Sequence, residues 1–328
     1  MKSRLIHGML PLLAAALLVT TENSAAAGYA VVNRWSLGPA AKWDYATFDT
    51  TRRRIFIAHG DRVIVVDSDS GEVVGEIPGT NGVHGIALAQ EIKRGFTSNG
   101  KANTITVFDL DTLQRLEDVP VSGENPDAIV YEPSVGKVLT FNGRSNTVSV
   151  IDVKTLKEVA TLKTAGKPEF AVSNGAGKVF FNIESPAGQM QVIDATTDQV
   201  LATWDLTGCS RPTGLAIDSK LGRLFSVCEN EVMAVTDATT GKPVASVRIG
   251  AGPDAAGYDA ETKTIFSSNG KSGSLTVIQQ DDADHYRVIA TVPTAASART
   301  QALDPATHRL FLPSVTSGNM TLLVVGPE

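Results

Sequence analysis

The sequence predicts an all-β fold, a single seven-bladed β-propeller with four antiparallel strands per blade. Three observations carry this. A short alternating apolar run ending in Asp recurs as Val63–Asp67, Ile105–Asp109, Val148–Asp152, Gln191–Asp194 and Met233–Asp237, with its aspartates 42, 43, 42 and 43 residues apart. A second pattern runs in step with it, a small-apolar strand opened by Asp44, His84, Asp127, Glu169, Thr213, Asp254 and Arg299, at a mean spacing of 42.5 residues. Each period also divides into four short strand-like runs between clusters of Gly, Asn, Asp and Ser. Four strands in roughly 40 to 50 residues, repeated around a ring, is the signature of a propeller blade.

The elements follow in chain order. Lys2 and Arg4, the apolar run Leu10 to Val19 and the small residues Ala25-Ala26-Ala27 read as a secretory leader cut after Ala27, with an uncleaved anchor as the alternative. The apolar run is short for a bilayer span. An exported, periplasmic protein is expected, with residues 28–328 as one domain. Losing Lys2, Arg4 and Glu22 takes the formal net charge from −6 to −7. Ala30–Leu37 (AVVNRWSL) reads as a strand that completes the last blade, because Arg34–Pro39 aligns with Arg248–Pro253. The C-terminal copy supplies only three strands, Thr300–Leu303, Arg309–Leu312 and Met320–Val325. The N-terminal strand is therefore expected to close the ring and remove two open edges. Blade three shows the four strands best, as Asp127–Tyr131, Lys137–Asn142, Thr147–Asp152 and Glu158–Lys163. Pro126, Pro168, Pro212 and Pro253 stand before four of the first strands, where a missing ladder donor costs little.

Composition bounds the function. With 328 residues, 42% of them hydrophobic, and a net charge of −6, the chain is neither disordered nor a disulfide-stapled miniature. The acidic balance argues against a nucleic-acid surface, which needs clustered Lys and Arg. There is no Cys-x-x-Cys-His, His-Glu-x-x-His, Gly-x-Ser-x-Gly or P-loop. Gly250–Ala255 matches a dinucleotide fingerprint in letters only, since Pro253 opens a strand and not a helix. Asp67–Gly71 resembles half a calcium loop, but its repetition at Asp109 and Asp237 marks a turn between strands.

The segment from Phe141 to Pro168, FNGRSNTVSVIDVKTLKEVATLKTAGKP, resembles the YVTN-type repeat of YncE-like periplasmic propellers, with Asn146–Asp152 as its core. Asn103–Asp109 follows the same pattern, and blade six departs from it at Gln279. The resemblance implies the propeller fold over the whole exported chain, and a binding or scaffolding role. Some relatives are reported to bind DNA, a role that the acidic balance disfavours here.

In a propeller, the starts of first strands and the ends of second strands share one face around the central channel. The first set gathers Asp44, His84, Asp127, Glu169, Thr213, Asp254 and Arg299 at one mouth. Carboxylate and imidazole groups suit a divalent cation, for which His84, Asp127, Glu169 and Asp254 are the candidate ligands. They equally suit a cationic small molecule, or a solvated rim with Arg299 paired to an acid. The second set is His59, Asn99, Asn142, Asn182, Glu229 and Asn269. Three of its asparagines precede Gly and read first as turn residues. The functional alternative has these side chains, with Lys101, Arg144 and Lys271, contacting a partner on that face. Cys209 and Cys228 map to the same face and are expected to form a disulfide, with two free thiols or a soft-metal pair as the alternative. His285 and His308 fall in loops and are expected to be solvated. Trp43 is either an aromatic wall at the mouth or packing between blades seven and one.

The sequence thus points to a binding or scaffold protein. It would recognise a protein or small-molecule ligand at the channel mouth, as a monomer, without nucleic acid and without a membrane span after leader removal. The alternatives are a metal-assisted lyase or lactonase, with a divalent cation as cofactor, and an accessory factor of a periplasmic redox or metal pathway.

Overall fold

The computed structural model describes residues 28–328; the expected leader, residues 1–27, lies outside the described residues. Seven four-stranded antiparallel sheets succeed one another along the chain. Blade one comprises Trp43–Asp49, Arg54–His59, Arg62–Asp67 and Val73–Pro78, and the next five repeat this order. Blade three is built from Pro126–Glu132, Lys137–Asn142, Thr147–Asp152 and Lys157–Lys163, within one residue of the expected bounds. An added 3-10 turn, Gln90–Ile92, interrupts the first hairpin of blade two.

Ring closure follows the expected route. Strand β1 (Tyr29–Pro39) pairs antiparallel with β28 (Asn319–Pro327), from Tyr29 opposite Pro327 to Pro39 opposite Asn319. It becomes the outer strand of blade seven, whose inner strands are Ala302–Asp304 and Arg309–Thr316. The short first strand of this blade leaves Arg299 to Gln301 outside the ladder.

Burial explains the sequence pattern. The second and third strands of each blade are covered on both faces by neighbouring blades, so Ile55–Ala58 and Val63–Val66 are buried without interruption. The fourth strands of blades three and four, Lys157–Lys163 and Gln199–Asp205, alternate between exposed and half-buried residues. Aromatic pairs stitch adjacent blades: Phe56 with Phe108 at 5.6 Å, Phe141 with Phe181 at 5.0 Å and Phe48 with Phe311 at 5.8 Å between ring centroids. Each such pair belongs to two blades, so no blade holds its core alone.

The repeated Asp is a turn device. Oδ1 of Asp67, Asp109, Asp152, Asp194 and Asp237 accepts the backbone N–H groups two and three residues on. At Asp67 these bonds, led by the one from Ser70, hold the carboxyl below its ordinary value.

Ionic latches tie blades together on the opposite face. Lys137 Nζ contacts Asp198 at 2.8 Å, and Arg53 reaches the buried Asp304 at 3.1 Å. His308 is part of this set: its Nδ1 lies 2.6 Å from Oδ2 of the fully buried Asp259. It is therefore a bridge between blades six and seven and not the solvated loop residue expected. His285 is exposed and pairs only with Asp282 of its own turn.

Cys209 and Cys228 are bonded, with Cα atoms 5.5 Å apart and a sequence separation of 19. The bond fastens the loop entering blade five to the end of its second strand. A loop of this length stabilises by about 3 kcal/mol. Reduction is expected to lower the urea midpoint accordingly; identical midpoints with and without reductant would show the bond to be energetically idle.

Candidate functional site

The upper mouth of the channel is placed by a recurring irregularity. Ladder pairing shifts between Trp43 and Ala46, Val83 and Ile86, Pro126 and Ile129, and Pro168 and Ala171. Asp44, His84, Asp127 and Glu169 all fall within these shifts. A bulge bends the strand and re-aims the side chain at that point. Neighbouring blades then pin the bulged backbone. Thr300 Oγ1 donates to the Asp44 carbonyl at 2.8 Å, Ser98 to that of Asp127, and Ser268 to that of Arg299. Thr213 is spent in the same way. Its buried hydroxyl lies 2.9 Å from the Pro253 carbonyl and does not present itself to the mouth.

Three of the predicted residues meet. His84 Nδ1 lies 2.6 Å from Asp44 Oδ2 and 3.7 Å from Asp127 Oδ1. The three donor atoms all lie within 4.8 Å of one another. The expected cation set is therefore corrected. Asp44 belongs to the cluster, whereas Glu169 and Asp254 are drawn away by cations. Arg299 binds Asp254, reaches Asp44 Oδ1 at 3.4 Å and stands over the Trp43 ring at 5.9 Å. Trp43 itself packs with the apolar residues of blades one and seven.

Glu169 is held by residues that strand starts did not reveal. Lys167 Nζ lies 3.0 Å from Glu169 Oε2 and also contacts Glu184. Arg211 contacts Glu184 and lies 3.0 Å from Glu229. The mouth thus carries six carboxylates, on Asp44, Asp127, Glu169, Glu184, Glu229 and Asp254. Four permanent cations oppose them, Lys167, Arg211, Lys271 and Arg299, together with His84. Lys167 and Arg211 each stand two residues before a first-strand start, and that offset was the legible signal for them.

Electrostatics follow from burial and crowding. Burial, helped by the charges of Asp44 and Asp254, pushes the Asp127 carboxyl up to about 6 against the pull of His84. Burial and the Asp127 charge push Glu169 up to about 8. Burial also raises Asp254, against the opposing charge of Arg299. Burial depresses the His84 imidazolium, but the Asp44 hydrogen bond and the two aspartate charges outweigh it, so its pKa lies above the ordinary value. Beneath them, burial and the charges of Glu169, Asp127, Asp44 and Asp254 raise Tyr45 well above the ordinary phenol. Its ring meets Phe170 edge-on across the channel, with centroids 5.1 Å apart, and plugs it below the mouth.

The second set corrects the expectation of a contact surface. His59, Asn99, Asn142, Asn182 and Asn269 are all buried. Asn99 Nδ2 donates to Thr104 and Thr106, Asn142 to Thr147 and Ser149, and Asn269 to Ser274 and Thr276. Asn182 donates to the Thr213 carbonyl at 2.9 Å. His59 Nε2 accepts the Ala41 N–H at 3.1 Å, and burial lowers its pKa. For Asn99, Asn142 and Asn269 the physical reason is the antiparallel partner strand, whose hydroxyls face these side chains five and seven residues on. Glu229 stays on the face, at the rim of a 320 Å³ recess that Asp254, Lys271 and Arg299 also line.

No family model matches the chain, and no curated protein sequence matches it. Solved structures do. A chain of hydrazine synthase from Kuenenia stuttgartiensis aligns with a TM-score of 0.76 at 16% identity, covering 88% of this chain and 96% of that one. A chain of a mitotic checkpoint complex aligns at 0.78 and 14% identity, covering 98% and 99%. The protein U3-55K aligns at 0.78 and 12% identity, covering 92% and 100%. At such identities the likeness is one of fold, and the fold it shows is the seven-bladed β-propeller.

Proposed function

We propose that this chain is an exported, periplasmic binding protein of the YVTN-repeat kind, which takes a cationic group of a protein or small-molecule partner at its upper channel mouth. The observation that supports this is the gathering of six carboxyl groups around one opening against four permanent cations, an excess that is fullest once Glu169 loses its proton near pH 8. Such a rim focuses negative potential and attracts positive ligands. It repels nucleic-acid phosphates, so DNA is not the partner. A chain of a mitotic checkpoint complex is among the structural neighbours, and a scaffold role is in keeping with it. Asp127→Ala with Glu169→Ala is expected to lose at least tenfold in affinity for a partner recovered with the wild type, at unchanged circular dichroism. Undiminished recovery would remove the mouth from consideration.

The Asp44, His84 and Asp127 cluster favours a second reading. Its mixed nitrogen and oxygen donors fit a divalent transition metal, with three protein ligands and positions left for a substrate. Such an ion would supply Lewis acidity toward an ester or lactone. The chain's own contribution is to hold the three donors by the bulges and carbonyl pins described above. A bound ion at a hundredfold excess over its Kd adds about 2.7 kcal/mol. Zinc or manganese is therefore expected to raise the melting midpoint, chelator to reverse it and Asp127→Asn to abolish it. No shift with either ion, and none on chelation of the purified protein, would leave the first reading alone.

A further inference from the structure

We propose that the ligand of the upper mouth is a basic amino acid with a free carboxylate, its side-chain cation meeting Asp127 and its carboxylate meeting Lys271. This rests on the reading of the mouth as a site for cations, and adds the class of ligand. The charges around the opening cancel one another in pairs, and the two left over are of opposite sign.

The cation left over is Lys271. Lys167 is spent on Glu169 and Glu184, Arg211 on Glu184 and Glu229, and Arg299 on Asp254 and Asp44. Lys271 is exposed and pairs with no acid among the described residues. Its stem is nevertheless placed. Gly252 has a φ of 66°, and a Cβ there would stand 2.4 Å from Cγ of Lys271 and 2.7 Å from its Cβ, so the stem lies where a larger residue would push it off. Gly252 and Lys271 line the 320 Å³ recess together with Glu229, Asp254 and Arg299.

The acid left over is Asp127. The other five carboxylates each lie against a permanent cation. Asp127 has only His84, at 3.7 Å, and His84 stands closer to Asp44, at 2.6 Å. The Asp127 side chain keeps 14% of its surface exposed. The charge of Asp254, at the edge of the recess, still acts on it, so the recess and Asp127 belong to one field. A ligand with a cation alone satisfies Asp127 and is repelled by Lys271. A ligand with an anion alone meets Lys271 and is repelled by the acids. One that carries both signs in this order is opposed by neither, and that complementarity sets specificity. The carboxylate and the lysine ammonium then form a charge-assisted pair.

The probes are Nα-acetyl-L-lysine, its primary amide, which lacks the carboxylate, and Nα-acetyl-L-norleucine, which lacks the cation. Calorimetric titration of the full protein at low salt and about pH 8, where Asp127 is ionised, is expected to show the first binding at least tenfold tighter than either of the others. Lys271→Met keeps the stem over Gly252 and is expected to bring the acid down to the level of the amide. Asp127→Asn is expected to weaken both lysine probes. L-lysine itself separates the two sources of this chemistry: tighter binding than the acetylated form marks a free amino acid, and weaker binding marks the C-terminus of a peptide. Equal affinity for acid and amide, both weakened by Asp127→Asn, would overturn the carboxylate contact and leave the cationic mouth standing. Norleucine bound as tightly as lysine, or no binding of either lysine probe at millimolar concentration, would overturn the proposal at the cation itself.

Discussion

A chain that begins at Ala40 is expected to lose its single cooperative unfolding transition. Residues Tyr29–Pro39 are the outer strand of the blade that also holds the C-terminus. Removing them leaves β28 as an open edge and strips two aromatic contacts, Tyr29 on Phe266 at 5.3 Å and Trp35 on Phe311 at 5.9 Å. Burial of a large apolar side chain stabilises by about 1.5–3 kcal/mol. Losing Tyr29, Val31, Trp35 and Leu37 together therefore costs on the order of 5 kcal/mol, comparable with the whole stability of an ordinary domain. The ring is also opened, and blade seven then meets blade one with an incomplete sheet. Urea unfolding followed by tryptophan fluorescence and by far-ultraviolet dichroism should give two non-coincident curves at a lower midpoint. A synthetic peptide spanning residues 28–39 should restore coincidence. An unchanged midpoint and slope would show that closure by this strand is dispensable.

The fold was legible because each blade repeats the same physical requirements. A strand buried on both faces needs a continuous apolar run, and a tight turn needs Asp at its head. Those requirements recur at a fixed interval, so Val148–Asp152 and its copies declare both the strand and its end. The site was only partly legible. Asp44, His84 and Asp127 could be placed because each opens a first strand. Lys167 and Arg211 escaped notice because they belong to the loops before those strands, although their offset of two residues is regular. The asparagines misled for a related reason. Asn99, Asn142 and Asn269 end second strands on the correct face, but an amide next to two hydroxyls on the adjacent strand turns inward. The hydroxyl pattern at Thr104 and Thr106, Thr147 and Ser149, and Ser274 and Thr276 carried that information. Tyr45 was hidden because its partner, Phe170, lies across the ring, and periodicity within blades says nothing about contacts across a channel.

The crowding of the mouth makes stability depend on pH through Glu169. Its carboxyl titrates at about 8 in the folded chain against 4.5 ordinarily, because burial and the Asp127 charge disfavour the anion. The groups facing it are Asp127, Asp254, the phenol of Tyr45 and Lys167, which bears on it from the same loop. Lys167 offsets the cost only in part, because it is shared with Glu184 and its side chain is 42% exposed. Between pH 4.5 and 8 the native state therefore keeps a proton that the unfolded chain releases. Stability falls as pH rises through that window and levels off above it. Solvent and Lys167 moderate the effect, leaving about 2 kcal/mol of destabilisation at alkaline pH. Glu169→Gln keeps the shape of the side chain and cannot ionise. It is expected to match the wild type at pH 4 and to exceed its urea midpoint at pH 9, with the gap opening across the window. A gap that is constant with pH, or a variant that is less stable at pH 9, would show that Lys167 holds Glu169 as a stable anion. In that event the mouth would carry one more permanent negative charge, and its attraction for cationic partners would persist undiminished below neutral pH.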